Sequence, residues 1–164
     1  MRIVIGSDHR GADILDHLLA PLSRAGHEVE KIAVSPGNST DYPDVAYPVA
    51  TAIANGGADR GILICGTGIG MSIAANKVNG VRAALVHDEI GADMSRRHNN
   101  ANVLCLPGDM LGLRIIERVV MTWLTTPFDG GRHARRVNKI AAIEKGRDPN
   151  GMSEQDLARV AKGS

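Results

Sequence analysis

The chain has 164 residues and a formal net charge of +1, enough for one domain with a real core and too little charge to invite nucleic acid or anionic lipid. Its aromatic residues are one Phe, one Trp and two Tyr, so the core must be aliphatic and stacking platforms for bases are excluded. No apolar stretch approaches the roughly 18 to 20 residues of a membrane span, and Met1–Ile5 is too short for a signal-peptide core.

Arg2–Gly6 reads as the first strand, and Ala12–Ala25 follows with a helical stripe of Ile14, Leu15, Leu18, Leu19 and Leu22, closed by Gly26. His27–Ile32 is a second strand. Ala33–Asp44, with two prolines, a glycine and short polar residues, is a loop. Tyr47–Asn55 is helical up to Gly56-Gly57. Gly61–Cys65 is strand three, Ser72–Lys77 a helix, and Val81–Val86 strand four. Asp88–Arg97 is a helix with Asp88 as its N-cap. Asn102–Leu106 is strand five, and Leu111–Leu124 and Arg132–Glu144 are helices. The polar segment 146–164 holds one amphipathic pattern, Glu154–Ala161. Strands alternating with helices imply an α/β fold, a Rossmann-like three-layer sandwich with a five-stranded parallel sheet. Ligands in such folds bind at the carboxyl ends of the strands, which puts Ser7-Asp8-His9, Cys65–Gly70 and His87-Asp88 on one edge.

The densest signal is Cys65-Gly66-Thr67-Gly68-Ile69-Gly70, an apolar strand ending on a cysteine and followed by alternate glycines and a helix start. Glycines let the backbone approach a ligand, and a helix start offers free N–H groups and partial positive charge. Cys65 is therefore read as a reactive thiol beside an anion cradle, with a buried core thiol as the plain alternative. The dinucleotide fingerprint fails because its third glycine falls one position early, at Gly70 with Met71 where it is needed, and no P-loop Gly-Lys-Ser/Thr exists. Cys105 has no such loop and reads as core. The two cysteines have no metal-type spacing and suit a reducing, cytoplasmic setting.

Other candidates have two readings each. Thr67 is a turn residue or an oxyanion donor. Asp8 and His9 are an N-cap and a surface histidine, or a polar ligand site. Tyr42, in Asp41-Tyr42-Pro43, marks a turn or a directed hydroxyl. His98 interacts with a helix end or serves as an acid–base group. Arg132 and Arg136 share a helix face four residues apart and form a solvated basic face or a phosphate clamp.

Taken together, Gly-Ser-Asp-His at 6–9, Thr-Asp-Tyr-Pro at 40–43, Cys-Gly-Thr-Gly-Ile-Gly at 65–70, Ala-Asn-Lys at 75–77, Arg-His-Asn at 97–99 and Gly-Gly-Arg-His at 130–133 resemble the B-type ribose-5-phosphate isomerases and galactose-6-phosphate isomerase subunits. The resemblance spans about Met1 to Lys145, giving an isomerase domain at 1–145 and a polar tail at 146–164. It implies a homodimer, or a tetramer, with sites shared between subunits, a small phosphorylated sugar as ligand, and no metal or cofactor. Position by position, Cys65 matches the catalytic base and His98 the acid that opens the furanose ring. Asp8, His9 and Asn99 match substrate contacts, Tyr42 lies in the site, Gly66, Gly68, Ile69 and Gly70 belong to the anion loop with Thr67, and Arg132 and Arg136 match phosphate ligands. One position departs: relatives often carry arginine after strand five, and here that place is Asp109. A like charge near a phosphate weakens its binding. The resemblance implies interconversion of ribose 5-phosphate and ribulose 5-phosphate through an enediol, and Asp109 motivates other substrates. The alternatives are the same chemistry on a four- or six-carbon sugar phosphate (erythrose or erythrulose 4-phosphate, allose or galactose 6-phosphate), or a non-catalytic sugar-phosphate-binding subunit.

Overall fold

The computed structural model describes residues 1–32 and 40–162. Five parallel strands, β1 (Arg2–Ser7), β2 (Glu28–Ile32), β3 (Arg60–Cys65), β4 (Ala83–Leu85) and β5 (Val103–Pro107), form one sheet in the order β2-β1-β3-β5-β4. The helices are α1 (Ala12–Arg24), α2 (Tyr42–Ala54), α3 (Ile69–Ala75), α4 (Glu89–Asn99), α5 (Leu113–Thr125), α6 (Arg132–Glu144) and α7 (Glu154–Lys162).

Side chains alternate across the strands and sort the core into two layers. Ile3, Ile5, Ile62, Ile64, Leu104 and Leu106 pack under α1 and α5. Val4, Leu63, Cys65, Val103 and Cys105 face the other way, toward α2 and α3. This is the α/β sandwich read from the sequence, with both faces of a parallel sheet covered.

Element boundaries moved in places. Residues 33–39 of the expected loop lie outside the described residues, and α2 starts at Tyr42 rather than Tyr47. Pro43 signals a helix start here, since a first-turn proline loses no hydrogen bond. Asp8 does not cap α1. That position is Gly11, while buried Asp8 accepts the backbone N–H of Arg10 at Oδ1, 2.9 Å away. Asp88 does cap α4, accepting the Gly91 N–H at 2.6 Å. The segment after Lys145 ends in α7, whose Leu157 and Val160 are buried against Ala142 of α6. No helix among the described residues is long and apolar enough to cross a membrane.

Candidate active site

The sheet reverses its strand order between β1 and β3, and a ligand crevice opens at such a point outside the carboxyl ends. Ser7 pairs with Ile64 in register, and the Asp8 N–H donates to the Ile64 carbonyl at 3.2 Å. Asp8 and Cys65 therefore leave neighbouring strands at the same level. The Gly108 N–H donates to the Cys65 carbonyl at 2.8 Å and the Asp109 N–H to the Gly66 carbonyl at 3.0 Å, which brings the turn after β5 to the same place.

At this edge of the sheet the Gly68 N–H donates to Cys65 Sγ at 3.1 Å. Gly68 is the N-cap of α3 with φ +72°, a conformation that favours glycine. A Cβ there would lie 2.5 Å from Leu85 Cδ1 and 3.1 Å from the Leu106 carbonyl carbon. A Cβ on Gly70 would lie 2.8 Å from the Tyr42 ring, so Tyr42 packs directly on the loop. Thr67 Oγ1 accepts the Ile69 N–H at 3.3 Å, and Thr67, Ile69 and His9 are exposed. Arg10 Nε donates to Asp109 Oδ2 at 2.6 Å, directly over Gly66, whose Cβ would stand 2.6 Å from that oxygen. The carboxyl edge thus gathers Asp8, His9, Arg10, Tyr42, Cys65, the 66–70 loop and Asp109. Cys105, one strand away on the same face, is a buried thiol whose pKa is pushed up by burial and by the neighbouring Cys65.

The remaining candidates assemble elsewhere. α4 leaves the carboxyl end of β4 and delivers the chain to the amino end of β5. Its eleven residues form a rod about 16 Å long, so His98 and Asn99 finish at the edge of the sheet opposite Cys65. Arg82, just before β4, holds that end by donating from Nε to the carbonyls of Asn99 and Asn100 at 3.2 and 3.0 Å. Arg96 locks the turn beyond it. Its guanidinium is buried, bonds Asn100 Oδ1 at 2.9 Å and the Ala101 carbonyl, and lies 5.8 Å from the Trp123 ring centre. Burial, with the Arg60 and Arg82 charges, pulls its pKa down to about 10.

His98 stacks on His133, the ring centres 4.1 Å apart and the planes 2° from parallel. Arg132 Nε donates to His133 Nε2 at 3.4 Å, and Arg97 grips Asp129 at 3.1 and 3.2 Å. Burial, then the His98, Arg132 and Arg136 charges, lower the His133 pKa, with Asp129 opposing. Among the described residues neither Arg132 nor Arg136 pairs with a carboxylate. His98, Asp129 and His133 are close enough together to raise the question of a metal ion. The parallel rings, however, aim their in-plane lone pairs side by side rather than at one point, Asp129 is already paired, and three arginines surround the group. Such a set suits an anion. His133 and Asp129 were missed as members of this group: Gly-Gly-Arg-His drew notice for its arginine, and no local spacing announces a stack between two helices.

One chain therefore carries two groups on opposite edges of its sheet: a thiol beside a glycine-rich loop, and a stacked histidine pair beside Arg132 and Arg136, which have no carboxylate partner among the described residues.

Residues 3–140 match the ribose/galactose isomerase family. The chain is 43% identical to ribose-5-phosphate isomerase B of Escherichia coli, over 90% of this chain and 99% of that protein. It is 42% identical to the D-erythrulose-4-phosphate isomerase of Pectobacterium atrosepticum, over 88% and 95%. Among solved structures, the ribose-5-phosphate isomerase B of Clostridium thermocellum superposes with a TM-score of 0.87 at 49% identity, over 89% and 99%. A match this long, on a fold that carries the thiol, the glycine loop and the histidine–arginine group, has one consequence: the chain belongs to the ribose/galactose isomerase family and is a sugar-phosphate isomerase.

Proposed function

We propose that the chain interconverts ribose 5-phosphate and ribulose 5-phosphate through an enediolate, in a site completed by a second copy of the chain. The placement of Cys65 Sγ beside the amides of the 66–70 loop carries this reading. Aldose–ketose isomerisation needs a base close to a weak carbon acid and donors aimed at the oxyanion that forms. His98 promotes opening of the furanose ring. Cys65, as thiolate, removes the C2 proton and returns it to C1. The backbone N–H groups of Gly66, Gly68, Ile69 and Gly70, with the Thr67 hydroxyl, stabilise the enediolate oxygens. Asp8 or Tyr42 orients hydroxyls and passes the proton between oxygens, and His9 and Asn99 contact the sugar. Arg132 and Arg136 hold the phosphate as a pair of guanidinium groups.

The opposite-edge placement supports a shared site, because His98 and Cys65 act on one substrate only if they come from two chains related by symmetry. A homodimer is the smallest such assembly. A thiol base must stay unoxidised, which goes with a reducing cytoplasm.

A second reading keeps the chemistry and shortens the substrate to a four-carbon sugar phosphate. Asp109 favours it, since that carboxylate occupies Arg10 and stands where relatives often carry arginine. Proton NMR of the protein with ribose 5-phosphate in D₂O tests both. Conversion to ribulose 5-phosphate is expected, with deuterium entering at C1 of the ketose and, by the reverse reaction, at C2 of the ribose 5-phosphate. No conversion and no exchange, with turnover of erythrose 4-phosphate, replaces the first reading by the second.

A further inference from the structure

α6 bears Arg132, His133 and Arg136, yet it adds nothing to either apolar layer on the sheet. Its own start is electrostatically weak. Arg132, Arg135 and Arg136 crowd the first turns, where the helix dipole disfavours cations, and neither an acidic residue nor a capping side chain offsets them. A helix of 13 residues with such a start is marginal alone and must be held from outside. Two helices hold it, and Glu144 at its last turn accepts the Gly80 N–H at 3.2 Å. α4 does so on one flank, through the His98–His133 stack. α7 does so on the other: Leu157 and Val160 bury against Ala142, Met152 packs beside them, and Lys145 Nζ donates to the Val160 carbonyl. Glu154 and Leu157 line a cleft with Gly131, Ala134, Arg135 and Asn138, so α7 follows α6 along most of its length. α7 is itself well started. Ser153 Oγ accepts the Asp156 N–H at 3.2 Å and donates to Asp156 Oδ2 at 2.6 Å, a side-chain cap on its first turn. This helix lies beyond residue 140, where the family match ends.

We propose that α7 is a brace that fixes α6, so that Arg132 and Arg136 meet the substrate phosphate already in place, with Leu157 and Val160 as the positioning residues. The proposal rests on the phosphate role given to those arginines above. Preorganised groups lose less freedom on binding, so loosening α6 weakens substrate binding more than the chemical step.

The test uses the full chain carrying Leu157→Asp, with Leu157→Met as the conservative control and Val160→Ala as a milder second variant. Hydrogen exchange reads the brace directly: amides of α6 should exchange roughly tenfold faster while β1, β3 and β5 keep their protection. KM for ribose 5-phosphate should rise about fivefold with kcat within about twofold, and Leu157→Met should restore KM. Should Leu157→Asp fail to fold, Val160→Ala carries the same two readouts in the same direction. Unchanged exchange in α6, or faster exchange with a wild-type KM, overturns the proposal. An Arg136→Ala variant with unchanged KM would instead remove the phosphate reading, and the proposal with it. The exchange data distinguish the two failures.

Discussion

The backbone N–H of Gly68 donates to Cys65 Sγ at 3.1 Å, so one group fixes the thiol and belongs to the loop that must receive the substrate's oxygens. If Cys65 is the base, Cys65→Ala should lower turnover by roughly 10²- to 10⁴-fold, the usual contribution of a general base. Binding of inorganic phosphate, followed by calorimetry, should persist, since the arginines are untouched. Cys105→Ala should leave turnover alone, because burial keeps that thiol protonated. Near-normal turnover in Cys65→Ala would remove Cys65 from the chemistry.

Gly68→Ala should damage stability and activity together. The residue sits at φ +72°, which costs a non-glycine residue about 1–2 kcal/mol. The added methyl would meet Leu85 and the Leu106 backbone, and the backbone cannot swing aside. A total of about 2–4 kcal/mol should lower Tm by roughly 4–16 °C. A variant melting at the wild-type temperature would mean that the loop adopts another conformation.

Stability should fall as pH drops below about 6.5. The folded state lowers the pKa of His133 from its ordinary 6.5, through burial and the adjacent His98, Arg132 and Arg136 charges, and burial lowers that of His27. Below 6.5 the unfolded chain therefore binds protons that the folded chain resists, and stability is lost until pH passes the folded-state values. Asp59, whose folded pKa lies below 3.8, acts only in more acid solution. Melting curves between pH 7.5 and pH 5 should show the loss, and His133→Gln should flatten it. A His133 titration midpoint above 6.5 by NMR would reverse the sign.

The strand order could not be read from the chain, but the strands and the gathering of Asp8, Cys65 and the glycine loop at one sheet edge could. The continuous apolar run Gly61–Cys65 and the glycines after it are local signals, and so is the stripe in α1. The Arg10–Asp109 pair joins residues 99 positions apart, and the His98–His133 stack joins two helices. Both depend on topology rather than spacing. The start of α2 was displaced because prolines read as loop when one of them opens a helix. The burial of Leu157 and Val160 was hidden by the polarity of their neighbours.

Mixing two inactive variants should restore activity if the site is shared. Cys65→Ala keeps His98, and His98→Ala keeps Cys65. Random reassortment makes half of the dimers mixed, each with one intact site of two, so about a quarter of wild-type turnover should return. The mixture should be unfolded and refolded together and compared with each variant refolded alone. No recovery, with mixed dimers demonstrated by mass spectrometry, would place Cys65 and His98 in separate functions.

Arg10 Nε and Nη2 both reach Asp109 Oδ2, at 2.6 and 2.5 Å, above the Gly66 amide. Both side chains are substantially exposed, so the pair adds little stability, about 0–1 kcal/mol. Its effect falls on charge at the mouth of the site: the carboxylate occupies a guanidinium that would otherwise attract a phosphate or a sugar oxygen. Asp109→Arg should release Arg10 and add a second cation beside it, with Tm changing by only a few degrees. The expected readout is the ratio of kcat/KM for ribose 5-phosphate to that for erythrose 4-phosphate, which should rise roughly tenfold, the equivalent of one new charge-assisted contact of about 1.4 kcal/mol. A longer substrate gains because its phosphate reaches further from Cys65 and meets the new cation. If the ratio stays at its wild-type value while the variant remains folded and active, Asp109 does not select substrate length, and the four-carbon reading loses the observation that motivates it.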